Sequence, residues 1–593
     1  MNYELSNDEA KQPKVNAMAA LRELYQYIKG SRLRILLAFV FLLIVTACTI
    51  SAPFIIGDVT NKYIPVGDKD NLFKSLIFLA VIYIANSFFS YFQVRVMGQV
   101  GQNILFRIRN AVFQKLQTLP LQFFNQNKSG DLISRINNDT DKMNQAFSET
   151  LLRFSGDILV IIGIAIVMLG LNLQLGLIAI GTLAIMIVVT GLLASWIKGR
   201  NDRSLQKLGE LSGSIQESLT NFKVTVVFNR RDYFRDSFTS VNENNRKAAT
   251  AAGIANGILA PLYAYAANIG TALILIFGIQ ILIIDKLQAG LTIEFGTLLA
   301  FILYSSTFFG PLKEMAELFT QVQVAIASWS RIFTLLRLQT NLKQIESDDK
   351  DDSKALMKFH NVSFGYSTDH MILNKINMEL EEGHTYALVG PTGGGKSTTA
   401  SLMARLYDVS EGKVFFKGKD IRTYLPEELS KDIGFILQEP FLFTGTFAEN
   451  IKYGNEDYKD FSNEELEQKL RDLGLETLLE KFSEGLQTEI KPGGENISLG
   501  QKQLISFVRI LLREPKLLIL DEATANIDTV TEQLLEEILK KLPKTTTKVI
   551  IAHRLNTIEN ADQIFFISGG SIEKPINFDS ALGLINAQNT SNS

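Results

Sequence analysis

The sequence predicts two structural classes in one chain: an all-α six-helix transmembrane domain, then a soluble α/β domain built on a parallel sheet. Three observations predict it. Long charge-free apolar runs fill the first 312 residues, short apolar runs alternating with helical stretches begin near Leu356, and a glycine-rich loop follows one of those short runs. At 593 residues, 46% hydrophobic and 20% charged, the chain is too long for one core and needs at least two domains. A net charge of −3, from 59 basic and 62 acidic residues, removes the electrostatic reason for a nucleic-acid partner. The lone Cys48 lies inside an apolar run, so no disulfide forms within the chain and it reads as a small buried hydrophobe.

Residues 1–34 are polar and mixed in charge, which suits a cytoplasmic segment and not a cleavable signal. A spanning helix needs roughly 20 apolar residues. Charge-free runs at 35–57, 75–94, 158–197, 248–284 and 295–312 meet that length or nearly so. The third is long enough for two spans, with a turn expected at Gly170-Leu171-Asn172-Leu173-Gln174, so the count becomes six. The fourth holds Asn256, Pro261 and Asn268 and reads as one span entered through a polar stretch. Two long connections carry the basic residues, eight between 95 and 153 and ten between 198 and 247, against few in the opposite loops. The positive-inside rule places both in the cytoplasm, and an even number of spans puts both termini there. Apolar spacing at Leu105, Ile108, Val112, Phe113 and Leu116 predicts that the membrane helices continue into these connections. The expected divisions are a membrane domain at 35–338, an acidic solvated linker at 339–355 and the soluble domain at 356–593.

In the soluble part, the runs at 386–389 and 517–520 read as strands buried on both faces. The first leads into Gly390-Pro391-Thr392-Gly393-Gly394-Gly395-Lys396-Ser397, which opens a helix at Thr398. This spacing is that of a phosphate-binding P-loop. Glycines let backbone N–H groups turn in around phosphates, Lys396 reaches the β and γ groups, and Ser397 can ligate Mg²⁺. The second strand ends in Asp521-Glu522, placing carboxylates at the same crevice. Asp521 suits magnesium and Glu522 suits water activation.

Gly494-Glu495-Asn496-Ile497-Ser498-Leu499-Gly500-Gln501-Lys502-Gln503, ahead of Asp521, resembles the signature motif of ABC (ATP-binding cassette) proteins. Tyr366, Gln438, Asp528 and His553 stand in that family's order, and Phe123-Phe124 with Gly130-Asp131-Leu132-Ile133-Ser134-Arg135 resembles the first cytoplasmic loop of its exporter branch. The resemblance implies a P-loop nucleotide-binding domain that holds ATP and Mg²⁺ in a two-fold sandwich, the P-loop of one copy facing the signature of the other. It implies that Tyr366 stacks on the base, Gln438 senses Mg²⁺ and the attacking water, His553 contacts the γ-phosphate, and Ser498, Gly500 and Gln501 reach the partner's ATP. It further implies short coupling helices within 121–130 and 215–222.

One departure matters. The signature's third position usually holds a small residue, and here it is Leu499. A bulky side chain beside a γ-phosphate alters the approach of the signature helix, so hydrolysis at the partner's ATP is expected to suffer while this chain's own Glu522 and His553 match the competent pattern. That division resembles one subunit of the bacterial heterodimeric exporters and favours a different chain as partner. Asn86, Phe89, Phe92, Asn268, Tyr304 and Phe308 are candidates for a substrate cavity, whose few charges suit amphipathic drugs or lipids. Peptide export, import by the same architecture, and a nucleotide-gated channel or regulator stay open as alternatives.

Overall fold

The computed structural model describes residues 3, 5, 17–287, 294–339, 342–367, 370–521, 527–551, 559–576 and 580. They fall into two compact units, Asp8–Gln117 with Gly130–Arg337, and Met1–Asn7 with Thr118–Ser129 and Leu338–Ser593. The second unit therefore claims a piece of the first long connection, which sequence patterning had assigned to the membrane domain.

The helical unit begins with α1 (Ala17–Ile28), α2 (Arg32–Lys62) and α3 (Lys69–Gln117). The short α4 (Leu121–Gln126) belongs to the other unit. Next come α5 (Ser129–Ser134), α6 (Thr140–Gln145) and α7 (Leu151–Leu171), joined by π-helical turns at Arg135–Asp139 and Ala146–Thr150. Then follow α8 (Leu173–Thr220), α9 (Phe222–Val227), α10 (Arg231–Gly257), α11 (Leu259–Leu287) and α12 (Phe295–Arg337). Among the described residues, five helical stretches are long and apolar enough to cross a membrane, and the apolar part of α12, Phe295–Pro311, is a shorter sixth. At 1.5 Å per residue the 49 residues of α3 span roughly 70 Å, more than twice the hydrocarbon thickness, so the continuation beyond the membrane is real.

The expected turn between spans is present. Asn172 leaves helical geometry, and its side chain accepts the Leu175 N–H at 3.0 Å to cap α8. The fourth run does contain one span, but it is interrupted at Ile258, and Pro261 follows in the first turn of α11, where its missing N–H costs nothing. Helices α2 and α12 meet at glycine. A Cβ on Gly57 would lie 2.7 Å from the Gly296 carbonyl oxygen, and Asn61 Oδ1 accepts the Gly296 N–H. The π turns carry side chains onto α12: Asp139 accepts Arg331 Nε at 2.9 Å, Arg135 donates to the Arg331 carbonyl at 2.9 Å, and Thr150 Oγ1 donates to Gln321 at 2.9 Å.

Two cavity candidates are instead core residues. Tyr304 and Phe308 are fully buried among Ile164, Met168 and Ile274, and the Tyr304 hydroxyl donates to the Ile50 carbonyl at 2.6 Å. Their polar and aromatic surfaces are spent on packing the bundle. Asn86 is likewise engaged, bonding Thr49 Oγ1 on α2 at 3.0 Å, while Phe89 and Phe92 cluster with Phe41 and Phe88.

The other unit contains two sheets that share one core. Strands β1 (Met357–Phe364), β2 (Leu373–Leu380), β4 (Glu411–Phe416) and β5 (Lys419–Asp420) form an antiparallel sheet in the order β2-β1-β4-β5. A six-stranded sheet in the order β12-β11-β3-β10-β9-β6 contains β3 (Thr385–Val389), β6 (Ile433–Ile436), β9 (Leu517–Asp521), β10 (Thr547–Ile551), β11 (Gln563–Ser568) and β12 (Ser571–Ile576). All its pairs are parallel except β11 with β12. Helices α13 (Lys396–Met403) and α14 (Pro426–Asp432) pack near the sheets. A second core joins α15 (Phe447–Lys452), α16 (Asn463–Asp472), α17 (Glu476–Leu479), α18 (Leu499–Leu511) and α19 (Thr529–Lys540), beside the small pair β7 (Gly445–Thr446) and β8 (Glu489–Ile490).

The described part of the acidic linker, 342–355, holds no buried residue, as a solvated connector would, but it is tied to the domain. It is laid along the antiparallel sheet: Ile345 N–H donates to the Arg422 carbonyl at 3.1 Å, Asp351 N–H to Gly418 at 2.9 Å, Asp349 pairs with Lys413, and Asp351 with Lys358 at 3.1 Å. Its negative charge matches lysines on β1 and β4, which composition alone does not reveal.

Candidate functional site

Strand β3 is buried along almost its whole length and delivers the chain to the glycine-rich loop in the middle of the large sheet. Gly390, Gly393 and Gly395 have φ of 140°, 81° and 111°, values that side chains resist. Space excludes them too: a Cβ on Gly390 would stand 2.0 Å from the Ile567 carbonyl oxygen, and one on Gly394 2.6 Å from the same atom. Pro391 accepts the Gly394 N–H at 3.0 Å, fixing the loop so that α13 starts at Lys396. The Lys396 ammonium is buried and lies over the loop, donating to the carbonyls of Gly390 at 2.8 Å and Pro391 at 3.0 Å. Thr392 completes the loop, and Thr398 is buried in the first turn of the helix.

Parallel pairing of β9 with β10, and of β10 with β3, places the end of β9 beside this loop. Asp521 Oδ1 accepts from Ser397 Oγ at 3.4 Å, so the two oxygens best suited to a small hard cation converge. Gln438 follows β6, the neighbour of β9, at the same edge. The donor set of hydroxyl, carboxylate and amide oxygens fits Mg²⁺, which keeps several water or phosphate ligands of its own. Glu522 and His553, the expected base and γ-phosphate contact, lie outside the described residues.

Tyr366 follows β1 on the other side of the loop. Its hydroxyl is 3.3 Å from Thr398 Oγ1, and its ring meets Tyr407 and Phe364 edge-on, each at 5.1 Å. Burial raises the Tyr407 phenol above its ordinary pKa, ahead of the smaller effect of Tyr366. Tyr407 was not legible as a site residue; a tyrosine after a helix carries no spacing signal.

The signature residues belong to the second core. Ser498 caps α18: its Oγ accepts the Gln501 N–H at 3.2 Å, while Gln501 Oε1 accepts the Ser498 N–H at 2.9 Å. Gln501 Nε2 donates to the Lys481 carbonyl at 2.7 Å, so its amide is committed to holding the helix start. Gly500 is buried against Thr531, with a virtual Cβ 3.1 Å away. Leu499, the departing residue, keeps 37% of its surface exposed at the first position of the helix. Asp528 caps α19, accepting Thr531 N–H at 3.0 Å and Thr531 Oγ1 at 2.7 Å, bonds that lower its carboxyl pKa. The elements that carry the loop and Tyr366, β1, β3 and α13, pack in one core, and the signature helix packs in another.

The comparisons agree with this arrangement. A family profile described as the ABC transporter transmembrane region matches residues 35–312, and one described as ABC transporter matches residues 373–525. The chain is 33% identical over 568 residues to the uncharacterized ABC transporter ATP-binding protein YfiC of Bacillus subtilis, covering 93% of this chain and 91% of that one. It is 32% identical to the ATP-dependent lipid A-core flippase of Pasteurella multocida, covering 81% of each, and 29% identical to the probable multidrug resistance ABC transporter YheH of Bacillus subtilis, covering 86% of this chain and 76% of that one. A glycine cradle on a parallel sheet, a capped signature helix and long apolar helices on one polypeptide are those of an ATPase coupled to transport, and the chain belongs to the ABC transporter family as a multi-pass, exporter-type half-transporter.

Proposed function

We propose that this chain is one subunit of a heterodimer that exports amphipathic drugs or lipids across the cytoplasmic membrane, with one efficient and one impaired ATP site. Leu499 carries the reading. It replaces a small residue in the signature and is exposed at the N-terminus of α18, the end whose N–H groups and dipole act on a neighbouring anion. In the sandwich that the family resemblance implies, that anion is the partner's ATP, so the defect falls on one site only. The substrate class draws support from relatives named for lipid A-core, for fatty acid and for multidrug resistance, which share amphipathic cargo. Both basic connections, both termini and the nucleotide-binding domain are assigned to the cytoplasm.

In this reading Tyr366 stacks on the adenine, residues 390–398 enclose the phosphates, and Lys396 swings its ammonium toward the β and γ groups. Ser397, Gln438 and Asp521 would hold Mg²⁺, which when bound supplies positive charge against the developing phosphate charge. Glu522 takes the proton of the attacking water, Gln438 orients that water, and His553 steadies the γ-phosphate. Ser498, Gly500, Gln501 and Asp528 serve the interface with the partner, whose own signature completes the site built on Lys396.

The test uses the purified complex of both chains. Glu522→Gln should preserve ATP binding and lower turnover by about 10²-fold or more, since positioning and charge dominate phosphoryl transfer. The equivalent substitution in the partner should cost much less. Equal losses from the two variants, or an active transporter assembled from this chain alone, would return the protein to a symmetric homodimer.

A further inference from the structure

Helix α4 has two polar faces and both are engaged within its own unit. Gln122 and Asn125, three residues apart, share one face. Gln122 Nε2 donates to the Tyr366 carbonyl at 3.2 Å, and Asn125 Nδ2 donates to the Tyr407 hydroxyl at 2.8 Å. The helix therefore grips the aromatic pair that flanks the P-loop helix.

Phe123, Gln126 and Asn127 point the other way, and there they meet Tyr3 and Leu5. Tyr3 N–H donates to Gln126 Oε1 at 2.7 Å, and Leu5 N–H donates to Asn127 Oδ1 at 2.8 Å. Asn127 Nδ2 donates back to the Tyr3 carbonyl at 2.9 Å, so one amide reads two backbone groups as a neighbouring strand would. The Tyr3 ring, 2% exposed, stands edge-on to the fully buried Phe123 with centroids 6.4 Å apart. Its hydroxyl reaches past the helix to the Gln339 carbonyl at 2.9 Å, at the start of the linker. A buried tyrosine with its ring, hydroxyl and both backbone groups engaged is a built contact.

We propose that Tyr3 and Leu5 act as a strap that holds α4 against the adenine side of the nucleotide site, making Tyr3 a positioning residue for ATP. It acts through α4 on Tyr366 and Tyr407 and touches no nucleotide. The proposal rests on the base-stacking role given to Tyr366 above. With the strap loosened, Tyr366 samples more positions and ATP binding weakens, while the groups that carry the reaction stay in place.

The experiment uses the full-length chain in its purified complex. Tyr3→Ala should raise the KM for ATP by about three- to ten-fold with kcat within two-fold, the scale of one or two lost hydrogen bonds and an aromatic contact. Tyr3→Phe, which keeps the ring, should raise it less. Amide hydrogen exchange in residues 121–127 should rise in Tyr3→Ala, with exchange in 396–403 unchanged. Unchanged exchange in 121–127 overturns the strap, and so does a fall of kcat together with a lower melting temperature, which marks plain destabilisation. Tyr366→Ala separates the two readings. If it leaves the KM for ATP unaltered, the base-stacking role is wrong, whereas raised exchange in Tyr3→Ala stands on its own as evidence for the strap.

Discussion

Two six-residue helices, each next to a helix of almost fifty residues, end in opposite circumstances. In α4, Phe123 is fully buried and the amides of Gln122 and Asn125 are bonded to tyrosines of the nucleotide-binding unit. In α9, Phe222 is 56% exposed and Val227 79%, and Phe228 beyond it is exposed as well. The flanking helices add Ile215, Leu219, Phe234 and Phe238 to the same apolar groove. One connection is satisfied inside its own chain, and the other presents an apolar face of a kind that marks an interface. In the sandwich proposed above, a second nucleotide-binding domain would cover that face of α9. Of the expected coupling segment at 215–222, residues 215–220 belong to α8, and the short helix begins at Phe222.

The strongest way to break this contrast is a charge on α9. Phe222→Asp should lower substrate export by more than about ten-fold while ATP hydrolysis continues, because an apolar anchor at an interface centre is typically worth 2 kcal/mol or more. The chain should still fold, as the position is exposed. Unchanged efflux from a normally expressed complex would remove the docking assignment.

The mirror experiment on α4 should behave differently. Phe123→Ala deletes a fully buried ring between Tyr3 and Phe124, and a cost of about 3 kcal/mol to the nucleotide-binding unit is expected. The matching Phe222→Ala should alter folding stability by no more than about 0.5 kcal/mol, a typical surface value. Calorimetry of the two variants reads the difference directly. Equal destabilisation would mean that α9 is also seated within its own chain.

How much of this could be read from residues alone depended on whether the physics is local. The glycine loop was legible because Gly390 and Gly395 answer to backbone geometry at fixed spacing, whereas the Ser498 cap was not read, although a serine three residues before a glutamine is the spacing that satisfies two N–H groups. The spans were legible because the membrane imposes a length on apolar runs. A short helix within 121–130 was expected from the family resemblance, and α4 lies there; contacts made by amides with distant backbone left no periodic trace, so the attachment of the linker and the bonds of Tyr3 were missed. The antiparallel sheet was also missed, although Ile376-Asn377-Met378-Glu379-Leu380 in β2 alternates apolar and polar as a half-buried strand does. Tyr304 and Phe308 went wrong for a related reason: an aromatic residue in a membrane helix has the same sequence signal whether it packs the bundle or faces a cavity.

The smallest effect concerns the other exposed surface, the start of α18. Leu499→Gly restores the small residue that the signature usually has, at a helix cost of up to about 1 kcal/mol. The gain in turnover should nonetheless be modest, about two- to five-fold, well below the 10²-fold or more that removing a transition-state donor costs. Ser498 and Gly500 are unchanged, and the capping bonds between Ser498 and Gln501 fix the backbone N–H groups in either case. Only the bulk of a side chain at the surface is removed. The gained turnover belongs to the site made with the partner's P-loop, so it should persist when Glu522→Gln is added to Leu499→Gly, whereas the wild-type activity is lost in Glu522→Gln alone. Single-turnover hydrolysis by the four complexes gives the comparison. If Leu499→Gly adds nothing in the Glu522→Gln background, the inequality of the two sites has another source, and the exposed leucine is a surface residue that the interface tolerates.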